Sequence, residues 1–301
     1  MAAGDLVTLP GHVQYGELLL GPGTPVRWQT LTGWEESPAL DSGTVNRADA
    51  HGAFPGRLLA QPRTITLDGL VLRTEPGAMS AAVRTLAAGT ALRDDELPLV
   101  IKVDQGEALV SFARCIRRAV PVGTSGYALG VATGGALQFE ASDPRRYARS
   151  EQQVEARLPA PELGLDWHTA LGPERLDWPL DFGQPGATGG MTVFNTGDAP
   201  ANPVIEFRGP VARPSLTNIR TGDALEYDLA LDAGDVLRVD TKTGAVTLNN
   251  TASRLYTATS RSVPEQTFTL APGETQLAVR AAPGSSDPRA SALLRYRSAY
   301  W

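Results

Sequence analysis

Short alternations of apolar and polar residues, separated by turn residues, run along most of this chain. An apolar stretch broken by polar residues from Val13 to Leu20 and closed by Gly21-Pro22-Gly23 predicts a first strand and a turn. Val26 to Leu31 then alternates with period two, and Arg63 to Leu72 puts Ile65 and Leu67 on one face, as a half-buried strand requires. Leu97–Val103, Glu107–Val120 and Ala136–Ala141 repeat the pattern, and the two long segments predict an antiparallel meander. One segment has helical spacing instead. Met79, Val83, Leu86 and Ala87 share a face over about 78–89, and Gly89 supplies a stop. From Glu35 to Ala53 the chain is polar with little periodicity, which predicts a loop.

Pro159, Pro161, Pro173, Pro179 and Pro185 crowd one stretch with glycines up to Gly190, so a domain boundary is expected nearby. The expected division is 1–152 and 153–301, with a linker over about 153–178 and Glu151–Leu158 as the connecting strand. Beyond it nine short strands are predicted: Met191–Phe194, Val204–Phe207, Ser215–Ile219, Leu225–Leu231, Val236–Asp240, Ala245–Leu248, Thr267–Leu270, Gln276–Val279 and Ala292–Tyr296. Thr241-Lys242-Thr243-Gly244 makes Val236–Leu248 a hairpin. The fold class expected is mainly β: an N-terminal β-sandwich-like domain with one α-helix, then a C-terminal two-sheet β-sandwich.

Composition supports this and excludes several functions. The 31 Gly and 23 Pro among 301 residues disfavour a helical bundle. The net charge is −6, with 14 basic against 15 acidic residues up to Ser150 and 13 against 18 beyond it, so neither half has a nucleic-acid footprint. No stretch approaches a membrane-spanning length, and the first ten residues, with Asp5 and no basic residue, are not expected to be a secretory signal. Cys115 is the single cysteine, which rules out an internal disulfide or a multi-thiolate metal site.

Candidate chemistry is sparse. His12, His51 and His168 lack partners at metal-ligand spacing, and Cys115 sits in an alternating strand as a packing residue. Gly123-Thr124-Ser125-Gly126 and Gly130 to Gly135 lack the Lys-Ser/Thr ending of a phosphate loop and are read as hairpin tips. Ser125 and Ser142 lack a nucleophile elbow. The clusters Asp232/Asp235/Asp240 and Asp223/Glu226/Asp228 do not follow a calcium loop and are read as turn residues. A glycosidase pair assembled from distant strands is not something sequence excludes. No catalytic, cofactor or metal residues are therefore assigned. Arg114, Arg117, Arg118, Arg145 and Arg146 are candidates for an inter-subunit interface, and Trp167, Trp178 and Tyr256 for stacking on a glycan.

Three passages, in order, carry a resemblance: Phe139 to Tyr147 (FEASDPRRY), Asn195 to Gly209 (NTGDAPANPVIEFRG), and Ala233–Asp240 (AGDVLRVD) followed by Phe268–Leu277 (FTLAPGETQL). Together with Gly33, the polar loop to Gly52 and Arg63–Gly69, the chain resembles the distal tail protein family of long-tailed bacteriophages, the siphovirus tail component proteins. The resemblance implies a C-terminal sandwich like those of galectins or carbohydrate-binding modules, with Tyr296, Tyr300 and Trp301 as its terminal strand. It implies a structural virion protein, not an enzyme and without cofactor. Such proteins form a homo-hexameric ring that joins the tail tube to the tail tip or baseplate.

The partners implied are the tail tube protein, a tail-associated hub or lysin protein, the tape measure protein, and a receptor-binding or side-fibre protein. DNA would pass only in transit through the lumen, with no membrane involved. The location implied is the virion tail tip, assembled in the host cytoplasm. The N-terminal helix, edge strands and the loop Asp41–Phe54 are the expected contacts between copies. The alternative is a carbohydrate-binding module attaching to host cell-wall glycan.

Overall fold

A computed structural model describes residues 2–160 and 186–301. The chain divides into two units, the first built from residues up to Arg149 with Ala299–Trp301, the second from Ser150–Ser298. In unit 1 the strands are β1 (Val13–Tyr15), β2 (Leu18–Leu20), β3 (Val26–Arg27), β4 (Thr30–Thr32), β5 (Leu40–Ser42), β6 (Val45–Asn46), β7 (Ala53–Phe54), β8 (Leu58–Ala60) and β9 (Arg63–Arg73). After β9 come helix α1 (Met79–Gly89), β10 (Leu97–Ile101), β11 (Leu109–Ala119), the short helix α2 (Thr124–Ala128), β12 (Val131–Ala141) and β13 (Arg146–Ala148). The main sheet runs β2-β1-β10-β11-β12-β9-β3, with every pairing antiparallel.

Strand β11 is long enough to serve two partners. Its first half pairs β10 and its second half pairs β12, with a register shift between Cys115 and Arg117. The strands thus wrap around one core in which Tyr15, Ile65, Leu67, Leu99, Leu137 and Phe139 are fully buried. Met79 and Leu86 of α1 are buried in that same core, the stripe that the helical spacing predicts.

Five local expectations change. The stretch from Val13 to Leu20 is a hairpin turning at Gly16-Glu17, and Val26–Leu31 is split into β3 and β4, both pairing β9. The Gly123–Gly126 stretch belongs to α2 rather than a hairpin tip, and Gly130–Gly135 runs into β12, whose pairing with β9 is bulged at Gly135. The polar segment Glu35–Ala53 is not all loop: β5 pairs β8 and β6 pairs β7, making a projecting two-stranded arm. Alternation in sequence reports burial, and this arm buries neither face, so its strands leave no period-two signal.

Unit 2 contains β14 (Gln152–Arg157), β15 (Gly190–Asn195), β16 (Val204–Arg208), β17 (Val211–Ala212), β18 (Ser215–Asn218), β19 (Ala224–Glu226), β20 (Ala230–Leu231), β21 (Val236–Asp240), β22 (Ala245–Leu248), β23 (Ala252–Ser253), β24 (Gly273–Arg280) and β25 (Ser291–Tyr296). Two sheets form a sandwich, β14-β25-β16-β21-β22-β23 and β15-β24-β18-β19. Ile205, Phe207, Leu216, Leu237, Leu277 and Leu294 are fully buried in it. Leu225–Leu231 is two strands rather than one, and Thr267–Leu270 begins in a 3₁₀ turn and contributes only the bridge Ala201–Leu270.

The last strand, β26 (Ala299–Tyr300), pairs with β13 of unit 1. Tyr296 ends the sandwich, as expected, but Tyr300 and Trp301 do not belong to it. Their aromatic character fits either core equally well, and backbone pairing decides.

Candidate functional site

The passage Asp143 to Tyr147 builds the rim of unit 1. Asp143 Oδ1 accepts from Arg145 Nε at 2.9 Å, and its Oδ2 accepts from Arg145 Nη2 at 3.1 Å and the Tyr147 hydroxyl at 2.6 Å. Burial, then the Asp143 carboxylate, pushes the Tyr147 phenol well above its usual range. Arg146 is almost wholly buried: it pairs with Glu35 at 2.9 Å, donates to the Trp301 carbonyl, and lies over the Trp34 ring. Beside it Arg63, 2% exposed, donates to the carbonyls of Gly33, Trp34, Glu36 and Pro144 at 2.6–3.1 Å. Burial, then the neighbouring Arg146 charge, lowers its pKa. These two arginines pin the root of the arm to β9 and to the end of the chain.

The arm itself has no core. Leu40, Val45, Phe54, Leu58 and Leu59 are each more than half exposed, and Arg47 lies over the Phe54 ring at 4.8 Å. An isolated two-stranded ribbon is at best marginally stable in water, and this one leaves unpaired edges and apolar side chains exposed. Near α1, a groove of about 760 Å³ is lined by Tyr15, Leu18, Leu19, Thr85, Arg93 and Leu97.

Of the five arginines considered for an interface, four have partners within their own chain. Arg114 pairs with its cross-strand partner Glu140 at 3.1 Å, and Arg118 donates to the Ala87 carbonyl and the Thr90 hydroxyl, capping the C-terminal end of α1. Arg145 and Arg146 are held as above. Arg117 is exposed and has neither ion pair nor hydrogen bond from its side chain among the described residues. Spacing alone cannot reveal such internal partners, because Glu140, Glu35 and Thr90 lie far off in sequence.

The remaining candidates resolve into structural roles. His12 is buried; its Nδ1 accepts from the Thr8 and Leu9 amides at 3.2 Å and its Nε2 donates to the Pro22 carbonyl at 2.9 Å, which fixes the tautomer. His51 is exposed on the arm, and His168 lies outside the described residues. The Cys115 thiol is buried, and burial raises its pKa, as for a packing residue. Asp235 and Asp240 accept from nearby backbone amides as turn residues. No group of three or more metal-binding side chains occurs among the described residues. Trp167 and Trp178 lie outside the described residues; Tyr256 stands 79% exposed on a groove of unit 2.

Residues 196–300 match the family model for the siphovirus-type tail component, C-terminal domain. Over those residues the chain is similar to that domain. The whole chain also has the fold of SPP1 Dit, whose crystal structure is described as a paradigm of the hub adsorption apparatus in phages infecting Gram-positive bacteria. The TM-score is 0.65 at 14% identity, covering 95% of this chain and 97% of that one. A chain in the baseplate of phage P2, in its activated conformation with calcium, matches with a TM-score of 0.52 at 9% identity, covering 95% and 97% of the two chains. No curated protein sequence matches.

The family-model match is confined to residues 196–300, and the likeness to the solved structures is one of fold. The matched stretch is entered through Asn195, whose buried amide donates to the Ala199 and Leu270 carbonyls while its oxygen accepts from the Gly197 amide. This is the physical content of the Asn-Thr-Gly passage: one side chain ties the first turn of the domain to the Leu-Ala-Pro-Gly corner. Farther on, Asn202 donates to the Thr241 carbonyl, and Thr241 to that of Pro203, locking the β21–β22 turn.

Proposed function

We propose that this protein is a non-enzymatic distal tail protein whose copies close into a hexameric ring at the end of a phage tail tube. Unit 1 makes the ring, and the tail tip or baseplate is built beneath it. The observation that carries this reading is the arm over residues 37–62. It is a coreless ribbon with five exposed large apolar side chains, rooted by two buried arginines. A projection of this kind, engaging a different surface on the next copy, makes a heterologous contact, and such contacts close into rings when the rotation per subunit fits.

The α1 face and the edge strands are the candidate receiving surface, and Arg117 is the one basic candidate free to cross to a neighbour. The tail tube above, a hub protein below and the tape measure within are the partners such a ring serves, with a receptor-binding protein attached peripherally. DNA passes through the lumen only in transit, which suits a first unit near neutral in charge. The virion tail tip, after assembly in the host cytoplasm, is the location that follows.

Mass photometry and negative-stain microscopy of the purified protein test this. Sixfold rings are expected, and deletion of residues 40–60 should yield folded monomers. A wild-type protein that is strictly monomeric and absent from the tips of purified tails overturns it.

A further inference from the structure

We infer that unit 2 docks an acidic peptide segment of a partner protein on the outward face of its larger sheet, at the arginines Arg208, Arg238 and Arg295. This surface is separate from ring assembly and does not rest on it. Strands β25, β16 and β21 are consecutive neighbours within that sheet. One face of each is core, where Ile205, Phe207, Leu237, Val239 and Leu294 are at most 1% exposed. The alternate residues Glu206, Arg208, Arg238 and Arg295 therefore turn to the opposite face. Glu206 lies directly across from Arg238, and Arg295 stands across from Val204, one step along the same face.

One carboxylate serves all three guanidiniums, and serves each poorly. Glu206 Oε2 lies 3.3 Å from Arg208 Nη2 and 3.4 Å from Arg295 Nη2, and its Oε1 lies 3.8 Å from Arg238 Nη1. Glu155 reaches Arg208 only at 3.5 Å, while it accepts from the Ser291 hydroxyl at 2.6 Å. Other arginine–carboxylate pairs of this chain close to 2.8–3.1 Å, as at Arg114–Glu140, Arg213–Asp228 and Arg289–Asp287. Charge-assisted N–H···O bonds are strongest at about 2.7–2.9 Å, so the three forks surround too few oxygens. The Nε of Arg295 is buried without a hydrogen-bond partner. A second carboxylate, brought from outside, would supply the missing acceptors.

Charge selects the class of partner. Three guanidiniums against Glu206 and Glu155 leave a local positive excess, on a half of the chain that is acidic, with 13 basic against 18 acidic residues beyond Ser150. A long polyanion extends past the Debye length of about 8 Å and meets that acidic surround, whereas a carboxylate docked at contact meets the arginines first. The arginine side chains are 34–39% exposed, and so within reach. Arginine holds a carboxylate through two parallel bonds and is enriched at the energetic centres of protein interfaces. Val204 and Val236 share the face and are half-buried, which gives a peptide apolar contact beside its acid.

The test is fluorescence anisotropy of the full-length protein with a dye-labelled octapeptide repeating Gly-Glu-Leu-Glu, and with its counterpart carrying Gln for Glu. The acidic peptide is expected to bind at about 100 μM or tighter in low salt, to weaken as salt is raised, and to bind at least about tenfold tighter than the Gln peptide. Arg238→Gln and Arg295→Gln should each weaken it about tenfold, the loss of one charged contact. Arg289→Gln, a solvent-exposed arginine outside the face, should change nothing. Glu206→Gln removes the internal competitor and should tighten binding, whereas a purely structural ion-pair cluster would lose stability with binding unmoved. Should Glu206→Gln not fold, the arginine variants decide. Absence of binding, equal affinity for the two peptides, wild-type affinity in both arginine variants, or displacement by equimolar inorganic pyrophosphate would each overturn the proposal.

Discussion

Asp143 concentrates more of unit 1 in one side chain than any charge count suggests. It is nine-tenths buried, holds Arg145 through both oxygens, and accepts the Tyr147 hydroxyl. Asp143→Ala leaves a guanidinium and a phenol without their acceptor, and a loss of about 2 kcal/mol or more is expected in urea melts. Tyr147 and Tyr227 also set an alkaline limit. Both phenols are raised, first by burial and then by Asp143 and Glu265 respectively. A phenol raised in the folded state binds its proton more tightly there than in the unfolded chain. Its stabilisation is complete below the ordinary value of 10.0 and declines as pH rises through the folded-state value. Stability should therefore begin to fall as pH rises past about 10, and Tyr147→Phe with Tyr227→Phe should flatten that slope in melts carried upward from there.

The arm is the element on which sequence reasoning and structure part most clearly. At its crossing, a Cβ added to Gly56 would lie 2.1 Å from the Gly43 carbonyl carbon, so the two strands touch backbone to backbone. Gly56→Val should splay the ribbon while leaving the unit 1 core intact. Amide exchange is expected to rise only over residues 37–62, with ring assembly lost in the same preparation. At the root, Gly33 sits at φ +77° with its missing Cβ 1.9 Å from the Thr64 carbonyl oxygen, which no other residue tolerates.

Elements with a buried face were legible in sequence. Arg63–Leu72, Met79–Gly89, Val236–Asp240 and Ala245–Leu248 emerge close to where alternation or helical spacing puts them. The arm, the split of Val26–Leu31 and the 3₁₀ turn under Tyr256 were not legible, because backbone pairing and turn geometry hold them without a one-sided apolar pattern. The groove of unit 2 was legible in a single residue. Tyr256 stands out as an aromatic candidate, but its polar companions Arg213, Asp228 and Arg261 come from three separate segments, joined only by folding.

At the scale of the molecule, the chain leaves unit 1 after β13 and comes back to it as β26. Tyr147 lies opposite Ala299 and Arg146 opposite Tyr300, so departure and return are neighbours in one ladder. Unit 2 is thus inserted into unit 1. Replacing residues 150–298 by a short Gly-rich turn should leave unit 1 folded, since a gap of about 5 Å between paired strands is what a tight turn spans. A dispersed amide spectrum and an inaccessible Cys115 thiol are the expected readouts, and an aggregated product would refute the insertion view.

The same route has a mechanical side. Because the two strands are antiparallel, both tethers emerge from one end of their ladder, and a pull on unit 2 loads them together. β13 also grips β11, so the strain is spread into the main sheet instead of falling on a loose terminus. Cutting one tether would leave the other holding.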